Sequence, residues 1–297
     1  MRQILIQLLI SGISAGCIYG IISLGYTLIY NSTKLVNFAQ GPLVMAGAML
    51  AHLFLYRMKL PGFVGLILDI AVLSGIGLIL KFGIYDFLKR RNAKEFHLVI
   101  TILACGIVIE QVFALTVGKQ QYSVPALFGN GSSISFPALG INVYPENIIL
   151  VVTTLILIIG FYIFLNKTRL GLCIQAIGYN PQAATLSGLK TSLLVTITFC
   201  LSYAVSAVGG LMIAPIMGAT SSMGASLGIK GFAATILGGM GNPFAGFAGG
   251  LILGLIETFA AYYISSTYSP IIAYAILLLM LIIKPSGIWA EKGGKMI

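Results

Sequence analysis

Three acidic residues fall inside or beside long apolar runs of this 297-residue chain: Asp69, Glu110 and Glu257. A charge at mid-bilayer costs about 2.5–3.5 kcal/mol on insertion scales, so such a group faces a bundle interior, a partner or water. Asp69 and Glu110 fit either a packing contact or a transport role. Glu257 closes the stretch GFAATILGGMGNPFAGFAGGLILGLIE, residues 231–257. That stretch is broken in its middle by Gly238, Gly239, Met240, Gly241, Asn242 and Pro243. Glycines accept unusual dihedrals, and a proline cannot continue a helix from the turn before it. Unwound backbone does not survive against lipid, only within protein or beside a watery cavity. Half-helices meeting at such a break are a recurring lining for transport paths. The chemistry expected here is therefore non-covalent: a polar route lined by Gly238, Gly239, Gly241, Asn242, Pro243 and Glu257.

A second interruption, NSTKLVNFAQGP at 31–42, raises the same expectation for Asn37, Phe38, Gln40 and Gly41. Covalent chemistry has no comparable signature. No phosphate-loop motif, no His-Glu-x-x-His and no Gly-x-Ser-x-Gly occurs. His52 and His97 stand far apart, and Cys17, Cys105, Cys173 and Cys200 are scattered without a Cys-x-x-Cys. No catalytic residue, metal or cofactor is expected.

The elements that must hold these residues follow from composition. With 58% hydrophobic and 8% charged residues, the chain lies far from soluble domains, which carry about 25% charge. The fold class is an all-α, polytopic transmembrane bundle, a single domain over 1–297. Apolar runs long enough to span lie at 4–30, 35–56, 61–81, 97–117, 146–165, 192–213, 243–264 and 269–284, eight in all, with 223–242 a weaker ninth. The run ending at Cys17 resembles a lipoprotein cleavage box, but its apolar course continues to Tyr30 and reads as the first span.

A net charge of +10 invites a nucleic-acid partner, yet the basic residues cluster between apolar runs. That is the positive-inside pattern, and it excludes the nucleic-acid reading. The linkers 81–96 and 166–191 then face the cytoplasm, and the Gly-, Ser- and Pro-rich 118–145 faces outside. The C-terminal tail, with Lys284, Lys292 and Lys295, reaches the cytoplasm if 223–242 crosses and ends outside if it only dips. Glycines four apart, Gly12, Gly16, Gly20 and Gly246, Gly250, Gly254, predict close helix packing, within this chain or at a dimer seam.

In the 166–191 linker, Asn180 can cap a helix beginning at Pro181, the position proline prefers, and Gly188 ends it about two turns on. Such a helix is either an amphipathic connector or an element inserted into a soluble motor.

Four segments carry a resemblance that runs nearly end to end. They are GYTLIY with VNFAQG (25–30 and 36–41), AATLSGL (183–189), LGGMGNP through GGLILGLIE (237–257), and KPSGI (284–288). The sequence resembles the permeases of Liv-type branched-chain amino acid ATP-binding-cassette importers. The resemblance implies a multi-pass bacterial inner-membrane subunit without a cofactor. Its partners would be membrane lipid, a second homologous permease, two cytoplasmic ATP-binding subunits and an extracytoplasmic solute-binding protein. It also implies that Asn180, Pro181, Ala183, Ala184, Leu186, Gly188 and Leu189 form the coupling segment. Gln40 stands where the family usually has histidine and Pro42 where it often has an acidic residue. Branched-chain or related amino acids are the expected solute, with urea, amides or another small solute as alternatives within the transporter type. A secondary transporter or channel without a motor is the reading from a different class.

Overall fold

The computed structural model describes residues 2–125, 134–136, 141–284 and 287–289. Helix α1 covers Arg2–Thr33, and α2 covers Gln40–Ala51 with a π-helical turn, His52–Arg57, continuing it. Helix α3 (Gly62–Leu80) passes through a second π turn, Lys81–Tyr85, into the short α4 (Asp86–Arg90). Then come α5 (Glu95–Thr116), the strands β1 (Ile134–Phe136) and β2 (Ile141–Val143), and α6 (Pro145–Lys167). Two short helices, α7 (Arg169–Tyr179) and α8 (Pro181–Leu186), precede α9 (Thr191–Met217). Helices α10 (Met223–Gly238), α11 (Pro243–Tyr263) and α12 (Ser269–Ile283) finish the chain. The β1–β2 antiparallel hairpin is a small departure from an all-α chain and lies within the 118–145 linker. Residues 126–133 and 137–140 of that linker, and Pro285, Ser286, Lys292 and Lys295 of the tail, lie outside the described residues.

Six helices are long and apolar enough to cross a membrane, against eight expected spans. The difference lies in α2 and α12. The run at 35–56 is not one helix: Leu35–Phe38 is irregular, and α2 proper has 12 residues, all buried. A helix covered by protein on every side has no need to match the bilayer with its own apolar length. Helix α12 has only 15 residues.

Helix α10, the weak ninth candidate, has 16 residues, about 24 Å of rise. It runs the length of the bundle. Just before it, Ala219 exchanges two 2.8 Å backbone hydrogen bonds with Tyr122, at the hairpin end. Just after it, the Gly241 carbonyl accepts from Asn31 Nδ2 at 2.8 Å, at the end where α7 and α8 sit. The tail returns to that same end, where Ile288 N and Trp289 N donate to Leu237 O and Gly238 O at 2.9 Å. Segment 223–242 thus traverses rather than dips, and residues 287–289 lie beside the basic linkers, as charge alone would have them.

The two glycine ridges meet each other inside the chain. A Cβ on Gly250 would stand 2.7 Å from Gly20 N and 2.9 Å from Gly16 O, and one on Gly254 would meet Gly16 and Gly12 O. Backbone therefore touches backbone along α1 and α11, the contact small residues permit in lipid. On the opposite side of α1, the buried α2 packs against α9. Gly210 fits onto Val44 O, and Tyr203 and Phe199 fill the space towards α3.

Candidate functional site

The first polar interruption folds back into the bundle as the entry to α2. Asn37 accepts from Ala39 N at 3.1 Å, closing a turn that aims α2 inward, and its amide donates to the Tyr203 hydroxyl at 3.2 Å. Gln40, the first residue of α2, donates to Ser206 Oγ at 2.8 Å and accepts from Ser202 Oγ at 3.1 Å. The single Ser202 hydroxyl proton is shared between Gln40 Oε1 and Gly25 O, the latter 2.9 Å away. Asn37, Gln40, Ser202, Ser206 and Tyr203 are all fully buried, so polar groups deep in an apolar core satisfy one another. Gly41 lies against Gly224 and Gly228 of α10, with no room for a side chain. Phe38 meets Phe232 of α10 in a tilted ring contact, 5.2 Å between centroids, and is half-buried. The sequence pointed to Asn37, Phe38, Gln40 and Gly41 but not to Ser202, Tyr203 and Ser206. Those three lie on α9, where isolated hydroxyls within an apolar run look like ordinary packing.

The second interruption has a different geometry from the one expected. Gly238 through Pro243 form a turn between two antiparallel helices at the α8 end, not a junction of half-helices at mid-depth. Gly239 (φ 129°) and Gly241 (φ 103°) adopt dihedrals that L side chains rarely reach. Asn242 then caps α11, accepting from Phe244 N at 2.9 Å and Ala245 N at 3.4 Å, with Pro243 in the first turn. The turn is sheltered: Asn31 holds Gly241, and Gly287 of the tail packs directly on Gly239.

Glu257 is not a free carboxylate. Lys230 Nζ of α10 lies 2.5 Å from Glu257 Oε1, and the Tyr19 hydroxyl donates to Glu257 Oε2 at 2.5 Å. Lys230 also donates to the Tyr19 oxygen at 3.3 Å. The triad ties α1, α10 and α11 together, and the Ser269 hydroxyl at the start of α12 donates to the Glu257 backbone carbonyl at 3.0 Å. The other two acidic residues are separate from it. Glu110 is half-exposed, with Oε1 against Gly224 in the first turn of α10, a helix that has no side-chain cap of its own. A carboxylate there complements the positive helix end. Asp69 is fully buried on the α3 stripe Gly65, Asp69, Leu73 and Gly77, and neither of its oxygens has a hydrogen-bond partner among the described residues.

The linker helix α8 forms as its residue types dictate. Asn180 Oδ1 accepts from Gln182 N at 3.1 Å and Ala183 N at 3.0 Å, with Pro181 next. Gly188 (φ 82°) ends it, and Leu189 N closes on Ala184 O at 3.1 Å. Ala184 is the buried anchor, whereas Leu186 is 90% exposed. Helix α7 carries α8 and is fastened to the end of α1. Gly178 rests on Asn31 O, and the Lys34 ammonium sits over the rings of Tyr30 (4.9 Å) and Tyr179 (5.1 Å). Burial lowers the pKa of Lys34 from the ordinary lysine value. Beside α8 opens a cavity of about 810 Å3. No group of His, Cys, Asp and Glu able to hold a metal occurs among the described residues.

Comparison with known proteins agrees with this architecture. The family model described as the branched-chain amino acid transport system permease component matches residues 8–283. The high-affinity branched-chain amino acid transport system permease protein LivH of Escherichia coli (strain K12) is 27% identical, over 95% of this chain and 94% of that protein. The corresponding BraD of Pseudomonas aeruginosa (strain PAO1) is 26% identical, over 95% of each. The galactofuranose transporter permease protein YtfT of Escherichia coli (strain K12) is 27% identical over 75% of this chain and 62% of its own length. No solved structure matches. A multi-pass helical bundle with a capped, exposed linker helix, matched over almost its whole length, belongs to the branched-chain amino acid transport system permease family.

Proposed function

We propose that this chain is the permease subunit of an ATP-driven importer for branched-chain or related amino acids in a bacterial inner membrane. A second homologous permease, two cytoplasmic ATP-binding subunits and an external solute-binding protein complete it. The chain itself hydrolyses nothing; the motor sits on the ATP-binding subunits. The observation that carries this reading is α8: a short helix capped at one end, anchored by Ala184 and presenting Leu186 to solvent at the basic end. Asn180, Pro181, Ala183, Ala184, Leu186, Gly188 and Leu189 are its docking residues.

Force applied to α8 passes through α7 to the end of α1, because Gly178 and Lys34 leave little slack there. Helix α1 is seated on α11 by the glycine seam, so the two move as one body. The relative motion then falls between that body and α2 with α9, where Asn37, Phe38, Gln40 and Gly41 lie. In this conformation Gln40 and Asn37 are sealed from solvent. Opening exposes the amides and hydroxyls of this seam to the polar ends of an amino acid. Gly238, Gly239, Gly241, Asn242 and Pro243 shape the far end of the route, and Glu257 holds its wall through Lys230. The similarity of a sugar permease to the same chain type fits a design in which an external binding protein does most of the selecting.

The test is solute uptake into vesicles holding the assembled transporter, with ATP withdrawn while the ion gradient is maintained. Uptake should stop. Uptake that persists without ATP would make the chain a gradient-driven carrier or channel.

A further inference from the structure

The cavity of about 810 Å3 beside α8 is walled by Thr185 and Leu186 on one side and by Tyr85, Lys89 and Arg90 on the other. Its single acidic lining residue, Asp86, is already engaged: Lys81 Nζ lies 2.7 Å from Asp86 Oδ2 and donates to Ser192 Oγ at 2.8 Å. Lys89 and Arg90 have no carboxylate partner among the described residues, and both are exposed. The Lys89 ammonium is held 5.5 Å from the centre of the Tyr85 ring, at the cavity wall. The cavity therefore carries an unbalanced positive charge with the Thr191 and Ser192 hydroxyls beside it, while those of Ser32, Thr33 and Thr185 in the same lining donate to Ile29 O and Pro181 O. Cations and hydroxyls on one rim are what a phosphate monoanion requires.

Position selects the source of that phosphate. The cavity sits where the apolar stretches of α1, α3 and α9 give way to polar residues, the level of lipid headgroups. Its rim continues into apolar surface. The Lys81 ammonium that binds Asp86 also covers the Phe82 ring at 4.1 Å, and Phe82, Ile79 and Phe87 are exposed beyond it. A soluble anion makes no use of such a surface, whereas acyl chains do. Basic pockets between helices at the membrane boundary suit anionic headgroups.

We propose that this cavity binds the phosphate headgroup of an anionic phospholipid, with its chains lying along the Ile79–Phe82 edge of α3. The headgroup then bridges α8 to the α3–α4 corner, so the linker helix moves only as the lipid contact yields. The site is independent of which solute is carried, but its hold on α8 rests on the coupling role proposed above, and Pro181 and Leu186 of its lining are among the docking residues named there.

The experiment is native mass spectrometry of the full chain in detergent, titrated with phosphatidylglycerol against phosphatidylcholine. Wild type should retain phosphatidylglycerol preferentially. The K89Q/R90Q double variant should retain it roughly thirtyfold less well, the effect of removing two cations near a bilayer surface. The R91Q/K94Q double variant, which removes as much charge from the same loop outside the cavity, should bind like wild type. Thr185→Trp, which fills the cavity from the α8 wall without altering charge, should lose binding too, and serves as the readout if K89Q/R90Q folds poorly. Equal losses in both charge variants, or none in K89Q/R90Q and Thr185→Trp, would overturn the proposal. Displacement of the lipid by millimolar glycerol phosphate would reassign the cavity to a soluble anion, and displacement by the ATP-binding subunits would reassign it to protein contact; either overturns it.

Discussion

Lys230 Nζ and Glu257 Oε1 stand 2.5 Å apart on antiparallel neighbours, with side chains only 11% and 12% exposed. The pair makes the carboxylate tolerable inside the bundle, because each charge replaces the water the other lost. Breaking such a pair from one side strands a charge, at about 3–5 kcal/mol, while removing both partners together is far cheaper. Lys230→Met and Glu257→Leu should each lower the thermal midpoint of the purified chain sharply. The K230M/E257L double variant should recover most of the loss. The double variant also separates two roles for Glu257: retained uptake makes it a structural strut, and lost uptake in a stable protein makes it part of the route.

The seam between α1 and α11 gives a prediction with internal controls. Gly250→Ala puts a methyl 2.7 Å from backbone nitrogen, which cannot step aside as a side-chain tip can. The helices must separate, at about 1–3 kcal/mol for an overpacked contact. Gly75 and Gly160 have open space where a Cβ would go. Alanine there should leave stability unchanged or raise it by up to about 1 kcal/mol through helix propensity. Thermal unfolding of the three variants side by side decides the matter. Equal behaviour would mean that the seam is not close-packed.

Helix α8 allows its folding and its docking to be separated. Asn180→Ala removes the acceptor for two backbone amides and should cost about 1 kcal/mol of local stability, read as faster hydrogen exchange over 181–187. Leu186→Asp changes a side chain that is 90% exposed and touches nothing that holds the helix. It should leave insertion and unfolding temperature intact while abolishing ATP-dependent uptake. Normal uptake in Leu186→Asp would remove α8 from the drive train.

These cases show which features could be read from residue order alone. Asn180 with Pro181 was legible because a cap and its proline act over two or three residues, and α8 starts where that pair says, whereas Asn242 with Pro243 forms the same kind of cap but reads in sequence as part of the Gly-rich break. The membrane class was equally plain from composition. Span counting set α2 among the lipid-facing helices because the length rule assumes that a helix meets lipid, whereas all of α2 meets protein. The break at 238–243 was visible, but its depth was not, since glycines serve an end turn as readily as a mid-bilayer discontinuity. Glu257 stood out as a lone carboxylate because its partner lies 27 positions away, across that turn. Once α10 is known to cross and return as α11, Lys230 is the one cation in the preceding segment. Ser202, Ser206 and Tyr203 gave no signal at all, since their importance comes only from the arrival of Gln40 beside them.

Gln40 offers the sharpest test of the route itself. Its amide is fully buried and spends both ends on Ser206 and Ser202, while the Gly25 position leaves no space for even a methyl beside it. Gln40→Leu keeps the volume but leaves two buried hydroxyls without their partner, at about 1–3 kcal/mol each where no substitute is found. The loss should be partial, because Ser202 retains Gly25 O and Ser206 retains Ser202 O. Stability alone cannot tell a strut from a gate, so accessibility must. With Cys17, Cys105, Cys173 and Cys200 replaced, Gln40→Cys should resist a charged thiol reagent at rest. It should react during ATP turnover in the assembled transporter, when α2 shifts against α9 and water reaches the seam. A cysteine that stays unreactive through full turnover, in a variant that still transports, would place the solute's path elsewhere.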